Sequence, residues 1–356
     1  MRVIYFASSK GIGFTYHFSD LANILKSKDT LFISGEKEQF PGIFKKLDQA
    51  KVQRISINSF DTSKKIIRHA ICLAKTIKQF RPEVVHSQTN YQLFLAATLK
   101  PFFRYKIIQT IHSFNNGAGG IKQLLTRYYL TFMCLLFANK VIFQSKYVES
   151  NFASLKSKSS RLPMGFTGPV KKSPQVLGHS PVIIYAAKFH SAKNHKWLIE
   201  TLGPLLQKNN WHLILPGDGE QLDVVRALVA KNNLSDWVSM PGWVDRIEID
   251  KLYHQAHLAV IPSKSETLGH NIIEPLAYGI PVISFPVGIA PDIACESLAV
   301  TCISYYDAKA LIHSIEKKLN TSENYHNHSI AALEYFNKHL TWNAHIIQYK
   351  SILNEL

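Results

Sequence analysis

The chain has 356 residues, of which 46% are hydrophobic and 19% are charged. This length exceeds what one hydrophobic core usually serves, so we expect two globular domains, and the composition excludes an intrinsically disordered chain. The net charge of +16 lies in one half, because residues 1–170 carry 25 basic and 8 acidic side chains, whereas residues 171–356 carry 16 and 17.

The first half alternates short β-rich runs with helical patterns, which is typical of parallel strands joined by crossover helices. The pattern at 62–80 places apolar residues on one face of a helix. We therefore predict an α/β fold with a doubly wound sheet. The predicted strands of this half are 3–6, 30–34, 52–57, 83–87, 107–111 and 141–144.

The alternation pauses at 168–180, where glycine, proline and lysine residues predict a linker. A second series follows over 181–341, and residues 342–356 predict an amphipathic tail helix that needs a surface to pack on. The two halves are thus expected to be alike. The predicted strands of the second half are 182–187, 211–215, 237–240, 258–261, 281–285 and 298–303.

The apolar stretch 128–138 is too short for a spanning helix. We interpret it as a buried helix packed on a sheet, with a membrane-interface segment as the alternative. The four cysteines are widely spaced, which favours free thiols, and the N-terminal sequence lacks the features of a secretory signal. These features together predict a cytoplasmic protein.

The basic first half allows three interpretations, which are solvated lysines, an anionic membrane surface and nucleic acid. The basic residues lie among apolar helical positions without the interleaved aromatics of a base-stacking surface. We therefore expect peripheral contact with the inner face of an anionic membrane, and no nucleic-acid partner.

The segment 262–283 holds two carboxylates, Glu266 and Glu274, after the apolar run 258–261. Open α/β sheets bind ligands at this end of their strands. Gly269 permits close backbone approach, and a helix beginning there directs free N–H groups outward. The two glutamates are suited to sugar hydroxyls, although they can also be a loop carboxylate and a helix-surface carboxylate.

This segment resembles the signature of the retaining glycosyltransferases of family four, which have the GT-B fold. The resemblance implies two Rossmann-like domains facing a central cleft, with the tail helix crossing back to the first domain. It assigns Glu266 to donor-sugar hydroxyls and Glu274 to the ribose, and it adds Gly269, His270 and Asn271 to the donor site.

Lys188 and Lys193 follow the first strand of the second half, in a segment similar to the family's diphosphate-binding segment. A lysine replaces the family's arginine at 188 and keeps the charge without the bidentate fork. The alternative is a pair of solvent lysines. Cationic side chains suit the charge that develops on a leaving nucleoside diphosphate, and we expect no metal and no cofactor.

Other similarities to the family are spread along the chain. His112, at a strand end, is the histidine we expect to reach the donor sugar, in preference to His86, although a lone histidine there is commonly structural. Gly11 and Gly13 resemble the family's first glycine loop or form a plain tight turn. Two further backbone contacts to the nucleotide are predicted, at Gly217 and Gly242.

The resemblance thus makes residues 1–170, completed by 342–356, an acceptor-binding domain and residues 181–341 the nucleotide-sugar domain. It implies a retaining, metal-independent enzyme that moves a sugar from a nucleoside-diphosphate sugar to a glycan or glycolipid acceptor of a bacterial surface polysaccharide. A GT-B epimerase and a noncatalytic sugar-nucleotide binder are the alternatives.

Overall fold

The computed structural model describes residues 1–6, 30–34, 54–56, 65–112, 120–166, 168, 171 and 173–356. The chain divides into two compact units. The first unit comprises Met1–Thr167 and Trp342–Leu356, and the second unit comprises Gly168–Thr341. Each unit contains its own sheet, with hydrogen-bonded neighbours parallel throughout the described strands.

The described strands of the first unit form one sheet. They are β1 Val3–Phe6, β2 Thr30–Ser34, β3 Arg54–Ser56, β4 Val84–Ser87, β5 Lys106–Ile111, β6 Lys140–Phe143 and β7 Ser159–Arg161. Their order is β3-β2-β1-β4-β5-β6-β7. Each strand predicted in this half overlaps one of them. The sequence did not predict β7, because its residues Ser-Ser-Arg are polar and its place in the sheet comes from pairing with β6.

The helices of the first unit cover this sheet. The buried face of the first repeats every three to four residues through Leu73, Ile77 and Phe80, as the 3.6-residue period requires. The second begins at a capping box formed by Thr89 and Gln92. The described helices before the tail are α1 Ile66–Phe80, α2 Asn90–Leu99, α3 Ile121–Phe137 and α4 Lys146–Glu149.

Helix α3 corrects one expectation from the sequence. Leu130 and Cys134 are buried, but Tyr128 is 61% exposed and Phe132 is 59% exposed. The interpretation of 128–138 as a buried helix is therefore wrong for one of its faces, because the apolar pattern continues around the helix while the sheet covers only one side. In the described part of the chain, no helix has the length and apolar character needed to cross a bilayer.

The tail forms helix α12, Trp342–Asn354, which packs on the first unit as predicted. Trp342, Ile346, Tyr349 and Ile352 join a buried cluster that includes strand residues from β1, β4, β5 and β6. Gly165 accommodates Trp342, because a Cβ at this glycine would overlap the indole ring. The C-terminal segment thereby completes the core of the first domain.

The described strands of the second unit form a six-stranded sheet in the order β10-β9-β8-β11-β12-β13. These strands are β8 Val182–Ile184, β9 His212–Pro216, β10 Val238–Gly242, β11 Leu258–Ile261, β12 Val282–Ser284 and β13 Val300–Cys302. The described helices of this unit are α5 His195–Asn209, α6 Leu222–Lys231, α7 Arg246–Gln255, α8 His270–Ala277, α9 Ala290–Ala294, α10 Ala308–Leu319 and α11 Ser322–Tyr335. Every predicted strand of this half overlaps one of the observed strands.

The described residues of the predicted linker pack on the second unit. Gln175 is buried, its amide nitrogen Nε2 donates to the carbonyls of His254 and Ala256, and its backbone N–H donates to Ser329. The backbone N–H of Lys171 donates to the carbonyl of Ala277. These bonds attach the segment to helices of the unit that carries Glu266 and Glu274.

Candidate functional site

The carboxylate of Glu266 accepts three hydrogen bonds on one of its oxygens. Its Oε1 lies 2.5 Å from Nζ of Lys193, 2.8 Å from Oγ of Ser263 and 3.1 Å from Nδ2 of Asn271. Among the described residues, none donates to Oε2, and the side chain is 12% exposed. One oxygen is thus held by the protein, and the other is left to accept a hydrogen bond from a ligand.

The local sequence explains this arrangement. Strand β11 is fully buried and ends at Ile261, so the polar residues that follow emerge at the carboxyl end of the sheet. Gly269 then adopts a φ of +88° at the start of α8, a conformation in which a Cβ would clash with Ile272. Because the helix starts there, Asn271 lies in its first turn and reaches back to Glu266.

Lys193 lies in a short 3-10 turn, Ser191–Lys193, between β8 and α5. Two contacts fasten this turn to the loop after β11. The hydroxyl of Tyr185 lies 3.0 Å from the carbonyl oxygen of Lys193 and 2.7 Å from Oγ of Ser263, and the backbone N–H of Lys264 donates to Ala192. The loops that follow the neighbouring strands β8 and β11 therefore form one unit, which holds the lysine against the carboxylate.

Lys188 and the predicted glycine contacts lie at the same edge of the sheet. Lys188 is exposed, in the loop after β8, and the turn that carries Lys193 does not include it. Gly217 has a φ of +146°, and a Cβ there would overlap the carbonyl oxygen of Ala187, so this position requires glycine. The N–H of Gly217 donates to the carbonyl of Gly242 over 2.7 Å, which joins the two predicted backbone contacts.

Glu274 lies in α8 and is held by residues of α7. Its Oε2 accepts the hydroxyl proton of Tyr253 at 3.0 Å, and its Oε1 lies 3.8 Å from a guanidinium nitrogen of Arg246. Burial raises the pKa of the Glu274 carboxyl, while Arg246 and the Tyr253 hydrogen bond oppose the rise. Glu274 is 23% exposed at the side chain, so it combines a fixed orientation with access for a ligand.

Buried polar atoms without hydrogen-bond partners occur beside Lys193. His195 is 2% exposed, and neither ring nitrogen has a partner among the described residues. Its ring stacks on Phe189 with centroids 4.0 Å apart, and burial followed by the charge of Lys193 lowers its pKa to about 4. The imidazole is therefore neutral near pH 7.

In the part of the chain that the structure describes, two other buried side-chain atoms lack a hydrogen-bond partner, Oδ1 of Asn271 and Nδ2 of Asn194. Asn194 follows Lys193 in the chain, and the other amide atom of Asn271 donates to Glu266. His270 precedes Asn271 in α8, and burial lowers its pKa, with Glu266 opposing the shift and Lys193 adding to it. The predicted donor residues Lys193, Glu266, Gly269, His270 and Asn271 thus lie together. We call these five residues, together with Lys188 and Glu274 of the same unit, the second-unit site.

The first unit carries a different polar cluster at the carboxyl ends of β4, β5 and β6. His112 follows β5, and its Nε2 donates to Oε1 of Gln88 at 2.5 Å, while its Nδ1 accepts from Nε2 of Gln144 at 2.9 Å. Gln88 follows β4, and Gln144 follows β6. Burial lowers the pKa of His112 to about 4, against the opposing Gln144 bond, so this cluster is uncharged near pH 7.

His86 is structural in this arrangement. It is 2% exposed, and its ring nitrogens contact the hydroxyls of Tyr349 and Thr110 at 2.8 Å and 2.7 Å. Burial, followed by the nearby imidazoles of His112 and His345, lowers its pKa well below the usual value. His86 therefore connects the tail helix to the sheet, whereas His112 lies directly after the carboxyl end of β5.

Gly11 and Gly13 lie outside the described residues. In the described ranges, no group of three histidine, cysteine, aspartate or glutamate side chains is arranged to hold a metal ion. Three residues that contact the two predicted carboxylates were not predicted from the sequence, namely Ser263, Tyr253 and Arg246. The position of Ser263, two residues after β11, was a usable signal, whereas the α7 contacts to Glu274 left no trace in the sequence.

Comparison with known proteins gives a family match in each half of the chain. Residues 170–334 match the family described as Glycosyl transferases group 1. Residues 12–165 match the family described as Glycosyltransferase Family 4. The first match contains Lys188, Lys193, Glu266 and Glu274, so the second-unit site falls inside it.

The curated relatives share less than 30% sequence identity with this chain. The chain is 24% identical over 226 residues to an uncharacterized glycosyltransferase of Methanocaldococcus jannaschii, a match that covers 58% of each chain. It is 21% identical over 265 residues to an uncharacterized 41.2 kDa protein in the cps region of Klebsiella pneumoniae, a match that covers 69% of this chain and 72% of that protein. The chain thus spans between about half and three quarters of these relatives.

Among solved structures, the fold is similar to that of Anabaena HepE in complex with UDP. The TM-score is 0.78 at 16% identity, and the match covers 100% of both chains. At this identity the likeness shows the fold alone, which is GT-B, with two α/β domains that each hold a parallel sheet. The two family matches and the shared GT-B fold thus make each half of the chain similar to glycosyltransferases.

Proposed function

We propose that this protein is a retaining, metal-independent glycosyltransferase of family four that moves a sugar from a nucleoside-diphosphate sugar to a lipid-linked or polysaccharide acceptor. The observation that carries the proposal is the Glu266 carboxylate. Lys193, Ser263 and Asn271 hold its Oε1, and its Oε2 is left for a hydroxyl of the donor sugar.

The donor class follows from the chemistry of the second-unit site. Glu274 offers carboxylate oxygens to the ribose hydroxyl pair, while Tyr253 fixes its orientation. Lys193 supplies a cation for the diphosphate, and exposed Lys188 supplies a second one. The complex of HepE with UDP supports a uridine nucleotide as the first donor to test.

The proposed reaction is front-face transfer with retention. The bond between the anomeric carbon and the diphosphate oxygen breaks, the acceptor oxygen bonds to the same face of that carbon, and the acceptor proton passes to the departing diphosphate. Lys193, held in place beside Glu266, faces the diphosphate as negative charge grows there, because preorganised cations stabilise developing charge most strongly in a site with little water. No protein nucleophile is required.

The acceptor is proposed to be part of a bacterial surface glycan, such as lipopolysaccharide, O-antigen or capsule. The Klebsiella relative in a cps region supports this placement. The basic first half, with 25 lysine and arginine residues against 8 acidic residues over 1–170, supports attachment of that domain to the anionic inner face of the cytoplasmic membrane.

A panel of sugar nucleotides tests the reaction class. Release of nucleoside diphosphate, with the sugar transferred to an acceptor or to water, identifies a transferase. Interconversion of the sugar without release of diphosphate identifies an epimerase, and binding without any turnover identifies a noncatalytic binder. Either of the last two results overturns the proposal.

Glu274→Ala tests the site within the same assay. Each hydrogen bond to a charged group contributes about 1.5–3 kcal/mol, so loss of two ribose contacts should lower kcat/KM for the donor by about 100-fold or more. Glu316→Ala, an exposed carboxylate of α10, is the matched control and should retain wild-type turnover. Unimpaired turnover by Glu274→Ala contradicts the assignment of this carboxylate to the donor.

A further inference from the structure

Helix α3 exposes a continuous apolar face in the first unit. Its exposed side chains recur at intervals of three and four residues, which places them on one side of the helix. Leu125 is 62% exposed, Phe132 is 59% exposed and Leu136 is 58% exposed. The apolar face comprises Ile121, Leu124, Leu125, Tyr128, Tyr129, Phe132, Leu135 and Leu136.

The opposite side of α3 is already used by the fold. Leu130, Met133 and Cys134 belong to the buried core of the first unit. The apolar face therefore does not contribute to this core, and so large a contiguous apolar surface is rare on a soluble monomer unless something binds there. The face is suited to a partner with an apolar surface that can bury both aliphatic and aromatic side chains.

The charge around α3 identifies the kind of partner. The sequence from 84 to 148 contains seven lysine and arginine residues and no aspartate or glutamate. Lys100 Nζ donates to the carbonyl of Phe137 at 2.7 Å, and Lys158 Nζ donates to the carbonyls of Leu135 and Ala138 at 2.7 Å and 2.9 Å. Two ammonium groups therefore lie at the C-terminal end of the apolar face.

The same end of α3 carries a further apolar side chain with basic neighbours. Phe102 is 77% exposed in the 3-10 turn Lys100–Phe102 that contacts the end of α3 through Lys100. Arg104 and Lys106 are exposed just after this turn. An apolar surface bordered by cations matches the boundary between acyl chains and anionic headgroups. A second copy of this chain would present the same surface, and the sequence from 84 to 148 offers no acidic side chain to pair with these cations.

We propose that α3 inserts its apolar face into the surface of an anionic phospholipid bilayer, with Lys100, Lys158 and Arg104 directed to the headgroup phosphates. The proposal rests on the membrane attachment included in the proposed function and names the surface that makes it. Helices of this kind lie in the plane of the bilayer surface about 5–10 Å deep. The first domain would then be held by apolar burial as well as by charge.

Vesicle binding by matched variants tests the insertion. The double variant Leu125→Gln/Phe132→Gln removes two apolar side chains from the face without changing the charge. The control Val224→Gln/Leu298→Gln makes the same kind of change at exposed positions of the second unit, 58% and 62% exposed. Co-sedimentation is measured with vesicles of phosphatidylcholine and phosphatidylglycerol, and with vesicles of phosphatidylcholine alone.

The wild type and the control should bind the anionic vesicles equally, and part of the binding should persist at about 1 M salt, where charges are screened beyond about 3 Å. At about 0.1 M salt the affinity of the variant should be lower than that of the wild type by a factor of about ten or more, because the burial of two large apolar side chains is lost. At about 1 M salt the variant should detach from the vesicles. All three proteins should unfold at the same temperature, since the changed side chains are exposed.

Equal binding by the variant and the wild type overturns insertion but leaves a purely electrostatic attachment in place. Failure of the wild type to bind either vesicle overturns both the attachment and the insertion. A wild-type dimer that the double variant converts to a monomer, with vesicle binding unchanged, identifies the face as an interface between copies instead. Donor turnover in the absence of lipid, measured on the same preparations, reports separately on the sugar-transfer proposal.

Discussion

The two units place different chemistry at the carboxyl ends of similar parallel sheets. In the first unit, Gln88, His112 and Gln144 follow three neighbouring strands and form a chain of neutral hydrogen bonds. In the second unit, Lys193 and Glu266 follow two neighbouring strands and form an ion pair. We call the end of the first sheet that carries Gln88, His112 and Gln144 the neutral edge, and the end of the second sheet that carries Lys193 and Glu266 the charged edge.

Under the proposed function, the two edges would contribute different parts of one reaction. Neutral amides and imidazoles orient hydroxyl groups without attracting a counter-ion. Charged groups suit a diphosphate, whose negative charge increases as the leaving group departs. The charged edge should therefore dominate donor use, and the neutral edge should have smaller effects.

Lys193→Ala is expected to have the largest effect. It removes the cation proposed for the diphosphate and leaves the half-buried Glu266 without its ion-pair partner. Removal of one such stabilising group commonly lowers kcat by about 100- to 1,000-fold. Lys188→Ala should cost about tenfold because Lys188 is exposed, and Lys208→Ala, an exposed lysine of α5, should cost nothing. Equal losses for Lys188 and Lys193 would count against the distinction between them.

Acid should destabilise both units through buried neutral histidines. Burial lowers the pKa of His195 in the second unit to about 4, with Lys193 adding to the shift, and burial lowers that of His345 in the first unit to about 4, against an opposing bond to the Pro163 carbonyl. Their unfolded pKa is about 6.5, so the unfolded state binds more protons between about pH 6.5 and 4. The stabilisation is present above pH 6.5 and is lost as the pH falls.

At pH 5 each of these two histidines should lower the free energy of unfolding by about 2 kcal/mol relative to pH 8. Urea unfolding curves at the two pH values measure the sum over all buried histidines, including His86 and His112, so each contribution is taken from the variant that lacks that histidine. His195→Phe and His345→Phe should each reduce the acid sensitivity. An unfolding free energy that is constant from pH 8 to pH 5 would show that these imidazoles are protonated in the folded state.

His112→Ala tests the neutral edge. The substitution removes the imidazole that bonds to Oε1 of Gln88 and to Nε2 of Gln144, which should lower the free energy of unfolding by about 1–3 kcal/mol. If His112 also orients the donor sugar, kcat/KM should fall by about tenfold at temperatures where the variant is folded. His326→Ala, an exposed histidine of α11, is the control. A stability loss with unchanged kcat/KM assigns His112 a structural role only.

Tyr253→Phe should have the smallest effect. It removes the hydroxyl that donates to Oε2 of Glu274 and leaves the ring stacked on Tyr278, with centroids 5.0 Å apart. Loss of one hydrogen bond that orients a carboxylate should raise the donor KM by about five- to tenfold with little change in kcat. An unchanged KM would show that Glu274 keeps its orientation without this bond.

The sequence predicted the elements that follow from regular patterns. Apolar strands such as β11 are short and bounded by polar residues, so the position of Glu266 at a strand end was visible before the structure. Lys193 and His112, by contrast, were assigned only by the resemblance to the glycosyltransferase family. Strand β7 was missed because it is polar and gains its place by pairing.

Contacts between separate elements were beyond the reach of the sequence. Tyr253 reaches Glu274 because α7 packs beside α8, and no spacing along the chain encodes that approach. The unpartnered nitrogens of His195 depend on its stack against Phe189. For α3, a pattern that is apolar all round does not tell which face the core covers, so the exposed face became visible only in three dimensions.

A crystal structure with a bound nucleoside-diphosphate sugar tests the central claim most directly. The account predicts that the ribose hydroxyls contact Glu274, that a sugar hydroxyl donates to Oε2 of Glu266, and that the diphosphate lies within ion-pair distance of Lys193. A nucleotide seated elsewhere, with both carboxylates still bonded only to their protein partners, would contradict it.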